Sequence, residues 1–155
     1  MKNLVLILAF LALFSCNNDD DVIECALFDP IIQTFYVELI DNQGNNLFEN
    51  GTFNSDDVVV SINGFDLSGV IFNDVPGIEN IIVLSLFGQA GDSTYEIQLS
   101  DTITDTLVLN LVEDGETVCN FTPLRVNAAI YNDVTQTIED FDDVFTGELI
   151  IRVVR

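Results

Sequence analysis

The chain contains no histidine and no tryptophan, a single lysine at position 2, and only three arginines, Arg125, Arg152 and Arg155, against 26 Asp and Glu. Each scarcity closes a class of function. Without His, and without Lys beyond position 2, Ser-His-Asp and Cys-His nucleophilic arrangements, Schiff-base chemistry and His-ligated zinc or iron have no residues to work with. The carboxylate excess removes nucleic acid as a partner, because that binding depends on neutralising phosphates with Lys and Arg. Anionic bilayer surfaces repel the chain for the same reason. One long apolar run is present, Leu4 to Phe14. It is short of the roughly 20 residues that a permanent membrane helix needs.

That run follows Lys2 and ends in Ser15-Cys16, the layout of a secretory signal peptide. Leu13-Phe14-Ser15-Cys16 resembles the lipobox of bacterial lipoproteins, with Leu three before the cysteine and a small residue next to it. The resemblance implies a signal over residues 1–15, cleavage before Cys16 and lipid on its thiol. An ordinary secretory signal with an incidental cysteine is the alternative. Asn17-Asn18-Asp19-Asp20-Asp21 has nothing to bury, so 16–24 reads as a solvated, acidic, flexible tether. The acidic run also resembles the export signal that carries lipoproteins of Bacteroidota to the outer face of the outer membrane. Asn17 stands where that signal often has Lys or Ser, which keeps the periplasmic face open as a second address behind the cell surface. Two or more acyl chains make such an anchor stable, at about 0.8 kcal/mol per buried methylene.

Residues 25–155 are long enough for one domain with its own core, and no Pro-rich or Ser-rich linker divides them. Apolar residues alternate with polar ones at period two. Tyr95, Ile97 and Leu99 face one way and Glu96 and Gln98 the other. Comparable runs are Thr34 to Ile40, Val58 to Asn63, Gly69 to Phe72, Ile81 to Phe87, Thr106 to Val112, Thr117 to Phe121, Leu124 to Ile130 and Leu149 to Val154. Turn residues separate them, among them Asp114-Gly115. The pattern predicts an all-β antiparallel β-sandwich, immunoglobulin-like or transthyretin-like. One short helical turn is expected within Val134 to Phe141. The stretch Val37 to Asn63, with Asp41-Asn42-Gln43-Gly44-Asn45-Asn46-Leu47 and Asn54-Ser55-Asp56-Asp57, resembles small β-sandwich surface lipoproteins of Bacteroidota. That likeness implies fold and address but no activity.

Once Cys16 is acylated two thiols remain, Cys25 and Cys119, in an oxidising compartment where even cysteine counts usually mean bridges. A disulfide between them is expected. Carboxylate pairs of the glycosidase kind cannot be singled out among so many Asp and Glu. Asp101-Thr102-Ile103 and Asp105-Thr106-Leu107 lack the Gly of the aspartic-protease Asp-Thr-Gly. With Asp92-Ser93-Thr94 they resemble the O-glycosylation acceptor of Bacteroidota, which would put glycans on Ser93, Thr102 and Thr106. Ca²⁺ is the metal that suits this composition, since it takes carboxylate, amide and backbone oxygens. Its candidate ligands are Asp41 and Asn45 in one loop, and Glu139, Asp140, Asp142 and Asp143 in another. The competing readings are a hairpin loop held by Gly and Asn, and a solvated acidic loop with Phe141 tucked inward. No other cofactor is implied.

These features predict a lipid-anchored cell-envelope lipoprotein serving as a non-enzymatic binding or structural module. Its membrane contact would run through lipid on Cys16, with an envelope protein or glycan as partner. The alternatives are a calcium-stabilised accessory domain and a carboxylate-dependent glycan-active enzyme. Convergence of acidic side chains in one pocket would favour either of those, and scattered carboxylates the module.

Overall fold

The computed structural model of the protein describes Cys25, Asp29, Pro30, residues 32–141 and residues 147–155. Cys16 and the whole of the 16–24 tether, with Asp142 and Asp143, lie outside the described residues. Within those residues the chain is an all-β sandwich of two sheets. The smaller holds β1 (Thr34–Ile40), β4 (Ile82–Ser85), β9 (Glu139–Asp140) and β10 (Leu149–Val154), in the order β4-β1-β10-β9. The larger holds β2 (Val59–Ile62), β3 (Phe65–Leu67), β5 (Gly91–Ser100), β6 (Ile103–Glu113), β7 (Leu124–Tyr131) and β8 (Val134–Gln136), in the order β3-β2-β5-β6-β7-β8. Neighbours are antiparallel except β1 and β10, which run parallel with Val37 opposite Ile151. That contact fastens the first strand to the last.

The alternation read from the sequence decides which side chains meet between the sheets. From the smaller sheet come Phe35, Val37, Leu39, Ile82, Leu84, Ile151 and Val153. From the larger come Val60, Tyr95, Ile97, Leu99, Leu107, Leu109, Leu111, Val126 and Ala129. Truncating one of these fully buried leucines to Ala costs about 2–5 kcal/mol, because a cavity remains. A second, smaller core covers the outer face of the smaller sheet. There Tyr36 and Ile150 are roofed by Ile78, Ile81 and Phe141, with the Phe141 ring stacked on Tyr36 at 4.2 Å. Phe141 is thus tucked inward, as expected for that loop.

Three tight hairpins carry two consecutive residues at positive φ, as type I′ turns require. They are Asn63-Gly64 (52° and 78°), Cys119-Asn120 (53° and 63°) and Asn132-Asp133 (46° and 64°). The sequence reading is corrected at three places, two of them at these turns. Thr117 to Phe121 is not a strand but a hairpin tip, in which Val118 and Phe121 exchange both backbone hydrogen bonds at 2.8 Å. The helical turn expected within Val134 to Phe141 is instead β8 and β9. Asn132-Asp133 reverses the chain, and β-branched Val134 and Thr135 then pair back onto β7. Gly69 to Phe72 makes only isolated bridges, Ile71 to Ile82 and Phe72 to Glu79, as it crosses the outside of β4.

Candidate functional site

The strand order sends Thr34 and Tyr36 to the outer face of β1, beside Glu148 at the start of β10. The Tyr36 hydroxyl donates to one carboxylate oxygen of Glu148, and Thr34 Oγ1 lies 2.8 Å from the other. Burial, and next the hydrogen bond to Glu148 that favours the neutral donor, push the Tyr36 phenol up to about 12. A phenol so placed stays protonated at neutral pH and can donate a hydrogen bond but not act as a base. This trio edges a groove of about 590 Å³ lined also by Asp66, Val70, Phe72, Val83 and Phe87. Its wall is largely apolar, with a few polar groups and an exposed Phe87 ring.

At the opposite end of the sandwich Asp105 breaks the inward apolar phase of β6 and is only 3 % exposed. Its carboxylate accepts from Tyr131 Oη at 2.7 Å and from Asn132 Nδ2 at 2.9 Å, and it pairs with the Arg155 guanidinium. Arg155 also lies 5.4 Å over the Phe53 ring, and its backbone N–H donates to the Ile40 carbonyl at 2.9 Å. Burial raises the Tyr131 phenol and lowers the Arg155 guanidinium. Among the described residues no buried side-chain polar atom of this group lacks a partner, so this is a structural clasp joining β6, β7 and the chain after β10. On the outer face of the smaller sheet, Arg152 holds both Glu38, at 3.0 Å, and Glu139.

Of the expected site residues, Asp41 with Asn45 and Cys25 with Cys119 come together, whereas among the described residues the two acidic loops do not meet. Asp41 spends its carboxylate inside its own loop, accepting from the backbone N–H of Gln43 and of Asn45 at 2.8 Å each and from Asn45 Nδ2 at 2.9 Å. These bonds, the Asn45 side chain foremost, hold the Asp41 carboxyl below its usual value. Glu139 is engaged by Arg152, and Asp140 is exposed on β9. Asp142 and Asp143 lie outside the described residues. Among the described residues no three or more Asp, Glu, His or Cys side chains group so as to hold a metal ion. Of the three glycan candidates, Ser93 lies in β5, Thr102 in the β5–β6 turn and Thr106 in β6. Thr106 is exposed, whereas its neighbours Asp105 and Leu107 are buried. Cys25 and Cys119 are joined by a disulfide with their Cα atoms 5.3 Å apart.

Pattern reading misses both polar centres. Asp105 carries a signal, a charge in the inward phase of Asp105, Leu107, Leu109 and Leu111. Its partner Arg155 and the Tyr36–Glu148 bond join residues far apart in the chain, and nothing local announces them. No protein-family model, no curated protein and no solved structure matches this chain.

Proposed function

We propose that the protein is a lipid-anchored lipoprotein of the bacterial cell envelope whose β-sandwich serves as a non-enzymatic binding or structural module. The observation that carries this reading is the dispersal of the carboxylates among the described residues. The partly or fully sheltered ones lie at separate points: Asp105 with Arg155, Tyr131 and Asn132, Glu148 with Tyr36 and Thr34, Asp41 within its own loop, and Glu38 on Arg152, which also holds the exposed Glu139. A carboxylate-dependent enzyme or a calcium-clasped accessory domain needs such groups to converge on one point. The lipobox, the acidic tether and a disulfide suited to an oxidising compartment support the address, with the cell surface preferred over the periplasmic face. An envelope protein or a glycan is the partner class, met through loops or the exposed sheet.

Labelling with palmitate tests the anchor. The wild-type chain incorporates label and Cys16→Ala does not; label persisting in that variant refutes lipidation at Cys16. Surface display is tested by adding proteinase K to intact cells. The protein is degraded if it faces outward, and survival until lysis moves it to the periplasmic face.

A further inference from the structure

We propose that the Cys25–Cys119 disulfide orients the sandwich on its anchor, turning one end of the two sheets toward the bilayer and the opposite end away from it. This rests on the lipid attachment proposed above. Cys119 lies at the tip of the hairpin within the connection from β6 to β7, beyond the end where Glu113 pairs with Leu124. The chain enters the fold at that same end. Leu86 donates its backbone N–H to the Gln33 carbonyl at 2.9 Å, and Ile32 and Gln33 share a concavity with Asp114 and Arg125. The far end is defined by the bond from Arg155 N to Ile40 O, the Asp105 clasp, the turns Asp101-Thr102 and Asn132-Asp133, and the loop after Asp41.

Chain length makes this placement consequential. Eight residues separate Cys16 from Cys25. Fully extended, that stretch reaches about 30 Å. Measured instead to Gln33, whose carbonyl accepts from the Leu86 N–H, the reach is roughly 60 Å. The sandwich itself is about 37 Å long, taking the 11 residues of β6 at ~3.4 Å each. With the bond, then, the tether is no longer than the domain. The near end stays by the membrane, and repulsion between the carboxylate-rich domain and anionic headgroups lifts the far end away. The concavity of about 570 Å³ lined by Phe87, Gln89, Asn120 and Phe121 accordingly faces the bilayer, and the end around Asp41–Asn46, Asp101-Thr102 and Asn132-Asp133 points away from it.

The test uses the full lipidated chain, isotopically labelled and captured in phosphatidylethanolamine–phosphatidylglycerol nanodiscs that carry a gadolinium-chelating lipid. Amide relaxation enhancement is read at Gln89 and Asn120 against Asn45 and Asn132. The expected result is an enhancement many-fold larger at Gln89 and Asn120, flattened in the Cys25→Ser/Cys119→Ser variant. Equal or reversed enhancement in disc-bound wild type overturns the orientation, and a gradient unchanged in a folded double variant overturns the role of the bond. The wild-type profile decides the orientation even where the variant does not fold. A chain that fails to co-elute with discs instead refutes the anchor, and that result is distinct from either of the others.

Discussion

Removing the charge pair at the far end of the sandwich costs stability by an amount that depends on which partner is removed. Asp105 has a side chain only 4 % exposed, and Arg155 keeps 29 % of its own. Arg155→Met preserves the stem over Phe53 but strips the guanidinium from a buried carboxylate, leaving it two neutral donors, Tyr131 and Asn132. Breaking a fully buried ion pair from one side costs about 3–5 kcal/mol. Because Arg155 is partly solvated, the expected loss is discounted to about 2–3 kcal/mol. Asp105→Leu extends the stripe of Leu107, Leu109 and Leu111 and lets Arg155 turn to water, yet it orphans the Tyr131 hydroxyl, for about 1–2 kcal/mol. The double variant leaves neither charge unpaired, and its cost falls below the sum of the single costs by at least about 1 kcal/mol. Urea denaturation of the four proteins closes the cycle, with Tm expected to fall roughly 3–5 °C per kcal/mol for a domain this size. An Arg155→Met variant as stable as wild type, or strict additivity, refutes the clasp.

Tyr95 is wholly buried and its hydroxyl is the one buried side-chain polar atom without a hydrogen-bond partner among the described residues. Tyr95→Phe is therefore expected to be neutral or stabilising by up to about 1 kcal/mol, and a loss above that would reveal a partner for the hydroxyl. The Tyr36 phenol, raised from its unfolded value of 10.0 to about 12, contributes stability that is whole below pH 10 and lost as pH rises toward 12. Alkaline denaturation should show a smaller loss in Tyr36→Phe than in wild type, since the variant keeps the raised phenols of Tyr95 and Tyr131. Asp41, whose carboxyl is lowered by its loop bonds, contributes above its unfolded value and loses that contribution as pH falls. Asp41→Ala should lower Tm equally in EDTA and in millimolar CaCl₂; a calcium-induced rise that vanishes in this variant would assign the loop to metal. Reducing the disulfide, whose cysteines are 94 residues apart, should cost up to about 4–5 kcal/mol in the chain-entropy model, read by denaturation with and without reductant.

How far the sequence announces this fold depends on the length of each pattern. β1 coincides with the alternating run Thr34 to Ile40, and the long hairpin of β5 and β6 contains the runs at Tyr95 to Leu99 and Thr106 to Val112. β3, β8 and β9 are too short, at two or three residues, for any periodicity to register. Their signal lies in the turns, since Asn63-Gly64 and Asn132-Asp133 are residues that tolerate positive φ and reverse a chain. Cys119 illustrates the converse. Elimination names its partner, yet Val118 and Phe121 around it imitate a strand, and only the left-handed Cys119-Asn120 backbone shows that it caps a hairpin. The parallel contact of β1 with β10, the Asp105 clasp and the Tyr36–Glu148 bond all join residues more than twenty apart in the chain. Such pairs are set by how the sheets stack, which local spacing does not encode.

The central claim, a sandwich delivered to the envelope and held there by lipid, is tested most directly by intact-protein mass spectrometry of the chain extracted in detergent from its native membrane. The predicted mass begins at Cys16 and carries a diacylglyceryl group on its thiol. A polypeptide with an unmodified Cys16, or one cut at any other position, would contradict it.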